Sequence, residues 1–202
     1  MKKIILSIAI ICLSACSNKM NELPQNAKIV AFGDSLTYGY GAIPEQSYPA
    51  KLEKIINRKV INSGVNGNTT KDGLDRVESI IEMNPSLVIL GLGGNDMLQK
   101  KSTTETIKNL KEIIEKLKQK NINVVLLAVP KPSVFGLVSG LSDADFYEKI
   151  AKEEKIELIS SYSKHLSKEE NKSDPIHLNA IGYNLVAEDI AQKFKSFGLI
   201  RK

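Results

Sequence analysis

Apolar residues along this chain come in short continuous blocks separated by longer amphipathic stretches. The blocks fall at Lys28 to Phe32, Lys59 to Asn62, Leu87 to Leu92, Asn123 to Val129 and Ile156 to Ile159. Short apolar runs bounded by glycine or polar residues read as strands buried on both faces. Between them, helical spacing predicts helices over Tyr48 to Asn57, Lys71 to Glu82, Thr103 to Gln119, Asp145 to Glu154 and Asn179 to Phe197. Their inward residues are expected to be Leu52, Ile55 and Ile56; Leu74, Val77, Ile80 and Ile81; Ile107, Leu110, Ile113, Ile114 and Leu117; and, in the last helix, Ile181, Leu185, Val186, Ile190 and Phe194. Strands joined by crossovers long enough to hold helices indicate a mainly parallel five-stranded sheet covered on both sides. The fold class is therefore α/β, a three-layer α/β/α sandwich with flavodoxin-like strand order. Pro130 to Asp143 matches no regular element.

The N-terminus departs from this pattern. Lys2 and Lys3 precede an apolar run from Ile4 to Leu13, too short for the roughly 20 residues a bilayer span needs but suited to a signal h-region. It ends in Leu13-Ser14-Ala15-Cys16, which resembles the lipobox of a bacterial lipoprotein. The expectation is a signal peptide over 1–15 and a lipidated Cys16. A polar tether would then run to residue 26, with one domain over 27–202. Acyl chains on Cys16 would anchor the protein to a membrane of the cell envelope. Ser17 to Asn26, extended, would reach roughly 30 Å.

Composition narrows the chemistry. The chain has 202 residues, 42% hydrophobic and 25% charged, as expected of one globular domain with an adequate core. Without the signal segment 26 basic residues face 23 acidic ones, a net charge of +3. The lysines are dispersed along helices, tryptophan is absent and aromatics are sparse, which argues against a nucleic-acid partner. Cys12 and Cys16 are the only cysteines, so a mature domain beginning at Cys16 has no internal disulfide, cysteine nucleophile or zinc cluster. No cofactor or metal is expected, and the protein is expected to act as a monomer.

The candidate chemistry sits where strands end. Loops after the first three strands carry Gly33-Asp34-Ser35, Val65-Asn66-Gly67-Asn68 and Gly93-Gly94-Asn95-Asp96; the loop before the last helix carries Asp174-Pro175-Ile176-His177. In a parallel sheet the first three converge on one edge, and the fourth can join them. A serine hydroxyl becomes nucleophilic when a base takes its proton, and neutral imidazole does this near pH 7. Of the two histidines, His165 lies in a lysine-rich stretch that reads as solvated surface. His177 follows Asp174 by three residues, which lets the carboxylate accept from Nδ1 and leaves Nε2 for Ser35. The same four residues also read as a capped turn entering a helix. The backbone N–H groups of Ser35 and Gly67 and the Asn95 amide are available as oxyanion donors, although a glycine pair before Asn95 is equally ordinary turn chemistry.

Taken together, these four blocks resemble the SGNH hydrolase family of GDSL-type esterases and lipases, in order and spacing, over nearly all of the chain from Ala27. The resemblance implies Ser35 as nucleophile, His177 as base, Asp174 as its orienting acid, and Ser35, Gly67 and Asn95 as the oxyanion hole. It implies a turn-shaping role for Asp34 and a structural one for Asp96. Leu178 departs from the proline that relatives often carry there, which touches helix entry only. The implied activity is hydrolysis of carboxylic esters, thioesters or lysophospholipids. Phe135, Leu137 and Val138 are candidates for an acyl pocket, or equally for a loop packed on the core. The alternatives are an O-acetylesterase of envelope glycan and a non-catalytic envelope lipoprotein. A phosphate-binding loop is excluded, since no Gly-x-x-x-x-Gly-Lys-Ser/Thr occurs.

Overall fold

A computed structural model describes residues 20–132 and 141–201. Five parallel strands, β1 (Lys28–Gly33), β2 (Lys59–Gly64), β3 (Leu87–Gly91), β4 (Asn123–Leu127) and β5 (Glu157–Ile159), form one sheet in the order β2-β1-β3-β4-β5. Ile29 lies beside Val60 on one side and Leu87 on the other; Leu87 lies beside Asn123, and Val125 beside Glu157. This is the expected flavodoxin-like order. The strand ends place the residues after Gly33, Gly64 and Gly91 on a single edge. Because helices cover both faces, β3 is buried throughout and β4 nearly so, which explains why these strands read as unbroken apolar runs.

Among the described residues eight α-helices accompany the strands: α1 (Ser35–Tyr38), α2 (Tyr48–Ile56), α3 (Thr70–Glu82), α4 (Gly94–Leu98), α5 (Thr103–Gln119), α6 (Phe146–Glu154), α7 (Tyr162–Leu166) and α8 (Ala180–Ser196). Helix α5 packs against α3 and α6, and α8 packs against α2 and α7. Helix starts are fixed by side chains. Thr69 and Asp72 form a reciprocal capping box on α3, and the Asn179 carboxamide oxygen accepts from the Ile181 and Gly182 N–H groups of α8. Leu110, Ile113, Ile114 and Leu117 form the buried stripe of α5, as their spacing predicts.

Three expectations are corrected. Ile181 is 59% exposed, because Tyr183, Val186, Ala187 and Ile190 form the buried stripe and residue 181 falls on the opposite side of the helix. Ile55 is exposed on the flank of the Leu52 and Ile56 stripe. The stretch 20–26 is no free tether. Leu23 is buried, its N–H donates to the Leu199 carbonyl at 2.8 Å, and Arg58 holds the carbonyls of Leu23 and Pro24. Met20 also packs against the core, and Gln25 donates to the Asn57 carbonyl at 2.7 Å. Residues 1–19, with Cys16, and residues 133–140, with Phe135, Leu137 and Val138, lie outside the described residues.

Candidate active site

The site begins with the turn out of β1. Asp34, at the N-cap of α1, accepts from the Leu36 N–H at 3.0 Å, and Ser35 is the first residue of that one-turn helix. The turn is tight: a Cβ on Gly33 would lie 2.6 Å from the Gly91 carbonyl oxygen and closer still to Thr37. Ser35 is thereby fixed at the carboxyl edge of the sheet, with its hydroxyl facing the cleft.

The fourth block meets it there. His177 Nε2 lies 3.0 Å from Ser35 Oγ, and His177 Nδ1 lies 2.7 Å from Asp174 Oδ2. The other carboxylate oxygen, Oδ1, accepts from the backbone N–H groups of Ile176 and His177, both at 2.9 Å. An ionised carboxylate only accepts, so this pairing puts the proton on Nδ1 and leaves the Nε2 lone pair for the serine. Partial burial pushes the Asp174 carboxyl up. The bonds from Ile176 N–H, the His177 ring and His177 N–H outweigh burial and hold it below the usual carboxylate range. Leu178 is fully buried and pairs with Lys172 across a short antiparallel bridge, a packing role that accounts for a large apolar residue after the histidine.

Two further loops complete the edge. Gly67 lines the cleft with φ +79°, a backbone that L side chains rarely adopt, and a Cβ there would meet nothing within 4 Å. As the first residue of α1, Ser35 has an N–H without an intrahelical partner. Neither it nor the Gly67 N–H is hydrogen-bonded among the described residues. The Asn95 amide donates to the Asn68 carbonyl at 3.0 Å and reaches Asp34 Oδ2 at 3.5 Å, so it ties the second loop to the Ser35 turn.

Asp34 is fully buried. Desolvation pushes its carboxyl up to about 7, against the lowering effect of the Leu36 N–H and with help from the Asp96 charge. Because this lies above the unfolded value, its contribution to stability is present at low pH and lost as pH rises towards 7. Asp96 is structural, as expected: Oδ2 accepts from Thr70 N–H at 2.8 Å, and Oδ1 from the Thr70 hydroxyl at 2.6 Å, tying α4 to α3.

His165 is corrected. It is buried, with Nε2 2.8 Å from Asp189 Oδ2, and it belongs to α7 rather than to a solvated loop. Tyr162, His165 and Leu166 share the buried face of that short helix, a helical spacing that was present in the sequence but lay among lysines.

Two residues of the site carried no sequence signal. Arg76 on α3 donates to the carbonyls of Gly33 and Ser63 and to Asn68 Oδ1, with its guanidinium 4.5 Å from the centre of the Phe32 ring. One half-buried side chain thus joins the ends of β1 and β2 to the Gly67 loop. Tyr40, just past α1, sets its ring 4.5 Å from the His177 imidazole, centre to centre. Between these elements opens a cleft of about 520 Å³. Leu98, Val129, Pro130, Leu141 and Leu166 supply apolar lining, and Lys131, Glu169 and Lys172 are among its polar residues.

A parallel α/β/α sandwich with serine, histidine and aspartate hydrogen-bonded in sequence at its carboxyl edge has the architecture of a serine hydrolase. The chain belongs to the GDSL-like lipase/acylhydrolase family, whose model matches residues 31–185. It is 30% identical over 190 residues to an arylesterase of Vibrio mimicus, covering 90% of this chain and 92% of the relative. It is 27% identical over 172 residues to thioesterase 1/protease 1/lysophospholipase L1 of Escherichia coli (strain K12), covering 83% of each. The fold matches that of the psychrotrophic esterase EstA from Pseudoalteromonas sp., seen in a structure inhibited by monoethylphosphonate. The TM-score is 0.74 at 20% identity, over 85% of this chain and 98% of that one.

Proposed function

We propose that this ester hydrolase acts by covalent acyl transfer, with Ser35 as nucleophile, His177 as base and Asp174 as the acid that orients it. The observation that carries the reading is the continuous relay from Asp174 Oδ2 through both ring nitrogens to Ser35 Oγ, at 2.7 and 3.0 Å. Ser35 Oγ attacks the ester carbonyl carbon as His177 Nε2 takes the hydroxyl proton. The resulting oxyanion is received by the N–H groups of Ser35 and Gly67 and by the Asn95 amide, which exchanges its long 3.5 Å contact with Asp34 Oδ2 for it. Collapse breaks the bond to the leaving oxygen, which takes the proton from Nε2. Water then attacks the acyl-enzyme by the same proton path, the acid leaves and Ser35 recovers its proton. Asp174 stays ionised and balances the transient imidazolium.

The names of the relatives bring aryl esters, acyl thioesters and lysophospholipids within the proposed substrate range. An apolar cleft of about 520 Å³ is more space than an acetyl group fills, which favours longer acyl chains over a glycan O-acetylesterase. The test is initial-rate hydrolysis of nitrophenyl acetate, butyrate, octanoate and palmitate. We expect kcat/KM to rise from acetate to octanoate; a Ser35-dependent rate confined to acetate would move the assignment to the O-acetylesterase. Turnover with no dependence on Ser35 would remove the covalent reading altogether.

The proposed setting is a bacterial cell envelope, with residues 1–15 removed on export and Cys16 lipidated. Four residue steps separate Cys16 from Met20, a reach of at most roughly 14 Å. Met20 lines a recess together with Asn123, Val124 and Ile156, at the amino ends of β4 and β5. Ser35 stands at the opposite, carboxyl edge. An anchored domain would therefore turn its cleft away from the membrane that holds it. Cys16→Ala is expected to move the protein from the membrane to the soluble fraction and to abolish incorporation of labelled fatty acid. Continued labelling in that variant would remove the lipoprotein assignment. Among the described residues no helix is long and apolar enough to cross a membrane.

A further inference from the structure

Catalysis through Ser35 and His177 imposes a direction on the substrate. The carbonyl oxygen must point at the oxyanion donors, and the leaving oxygen must lie within reach of His177 Nε2, because that nitrogen returns the proton. Whatever the leaving oxygen carries must then pass beside the imidazole. Asp174 holds the imidazole at Nδ1, and two residues next to it in the cleft offer apolar surface. Tyr40 packs its ring against it at 4.5 Å, and Ile176 precedes it in the chain. Both line the cleft, and both are about half exposed, 48% and 46%.

An exposed tyrosine ring seldom has a fixed place, yet the backbone of Tyr40 is held at both of its polar groups. Its N–H donates to the Ser35 carbonyl at 3.0 Å, and its own carbonyl accepts from the buried Tyr183 hydroxyl at 2.8 Å. The polar residues of the cleft, Lys131, Glu169 and Lys172, come from the segments around Pro130 and before Asp174, so a carboxylate or phosphate carried by the leaving group finds no cation on Tyr40 or Ile176.

Building on the Ser35 and His177 mechanism, we propose that Tyr40 and Ile176 form the leaving-group subsite and that Tyr40 is a specificity-determining residue, selecting esters of flat, uncharged, aromatic alcohols. An aryl group beside the imidazole meets the face of Tyr40 and the side chain of Ile176. A small alkyl alcohol reaches the same proton donor but leaves the ring solvated. Selection acts only while the leaving group is attached. It therefore belongs to acylation, and deacylation of a common acyl-enzyme is indifferent to it.

The experiment compares phenyl butyrate with ethyl butyrate, which share one acyl group, in the wild type, Tyr40→Ala, Tyr40→Phe, Ile176→Ala and Ser35→Ala. The readout is the ratio of the two kcat/KM values, which cover steps through acylation. Tyr40→Ala should lower the phenyl-to-ethyl ratio about three- to tenfold, the worth of one aromatic contact. Tyr40→Phe should keep the wild-type ratio, and Ile176→Ala should lower it less than Tyr40→Ala. If Tyr40→Ala and Ile176→Ala both slow the two esters equally, the residues merely support the fold and the subsite is elsewhere. If Tyr40→Ala does not fold, the Ile176→Ala ratio decides alone. Retained turnover in Ser35→Ala would overturn the underlying mechanism instead, so the two failures are separable.

Discussion

Replacing Ser35 by alanine is expected to lower kcat on a nitrophenyl ester by about four to six orders of magnitude, the usual cost of removing the nucleophile from a serine relay. Nothing else in the turn depends on that hydroxyl. The cap of α1 is made by the Asp34 side chain to Leu36 N–H, and the Ser35 carbonyl still accepts from Gly39 and Tyr40. The melting temperature should therefore stay close to that of the wild type, and so should affinity for a product acid. The same substitution should abolish covalent labelling by a serine-directed phosphonate. Activity within tenfold of the wild type in a folded Ser35→Ala protein would remove the serine from the mechanism, because no other hydroxyl lies within hydrogen-bonding distance of His177 Nε2 among the described residues.

The sheet could be read because its inner strands β1, β3 and β4 are covered on both faces, which forces continuous apolar runs, and because parallel connections must hold a helix. Ser35, Gly67 and Asn95 could be placed on one edge because each follows a strand in a parallel sheet. The short helices α1 and α4 escaped notice, since four or five residues are too few to display a 3.6-residue period.

Other residues were hidden for chemical reasons. Arg76 reads as the solvated face of an amphipathic helix, yet its long stem lets the guanidinium turn inward and gather four acceptors. Tyr40 is meaningful only because the fold brings residue 177 against it, a proximity that no local pattern encodes. Leu23 is an isolated leucine in a mostly polar stretch, and its N–H finds its acceptor in the Leu199 carbonyl far along the chain.

Asp174→Asn should cost about four orders of magnitude in kcat while leaving the fold in place, a loss typical of putting the imidazole in the wrong tautomer. Asn retains an oxygen that can accept from the Ile176 and His177 N–H groups, as Oδ1 does, so the turn survives. Its amide nitrogen then faces Nδ1, where two donors would meet. The ring relieves that clash by moving its proton to Nε2, and Nε2 can no longer take one from Ser35. Acidification gives an independent check. The Asp174 carboxyl in the fold is held below the usual carboxylate range, so its contribution to stability is present above the unfolded value and fades as pH falls through the folded one. Asn cannot titrate. The difference in melting temperature between wild type and Asp174→Asn should therefore shrink as the pH is lowered through the carboxylate range. If the variant instead keeps kcat within tenfold of the wild type, Asp174 serves as the cap of its turn and Ser35 and His177 work as a dyad.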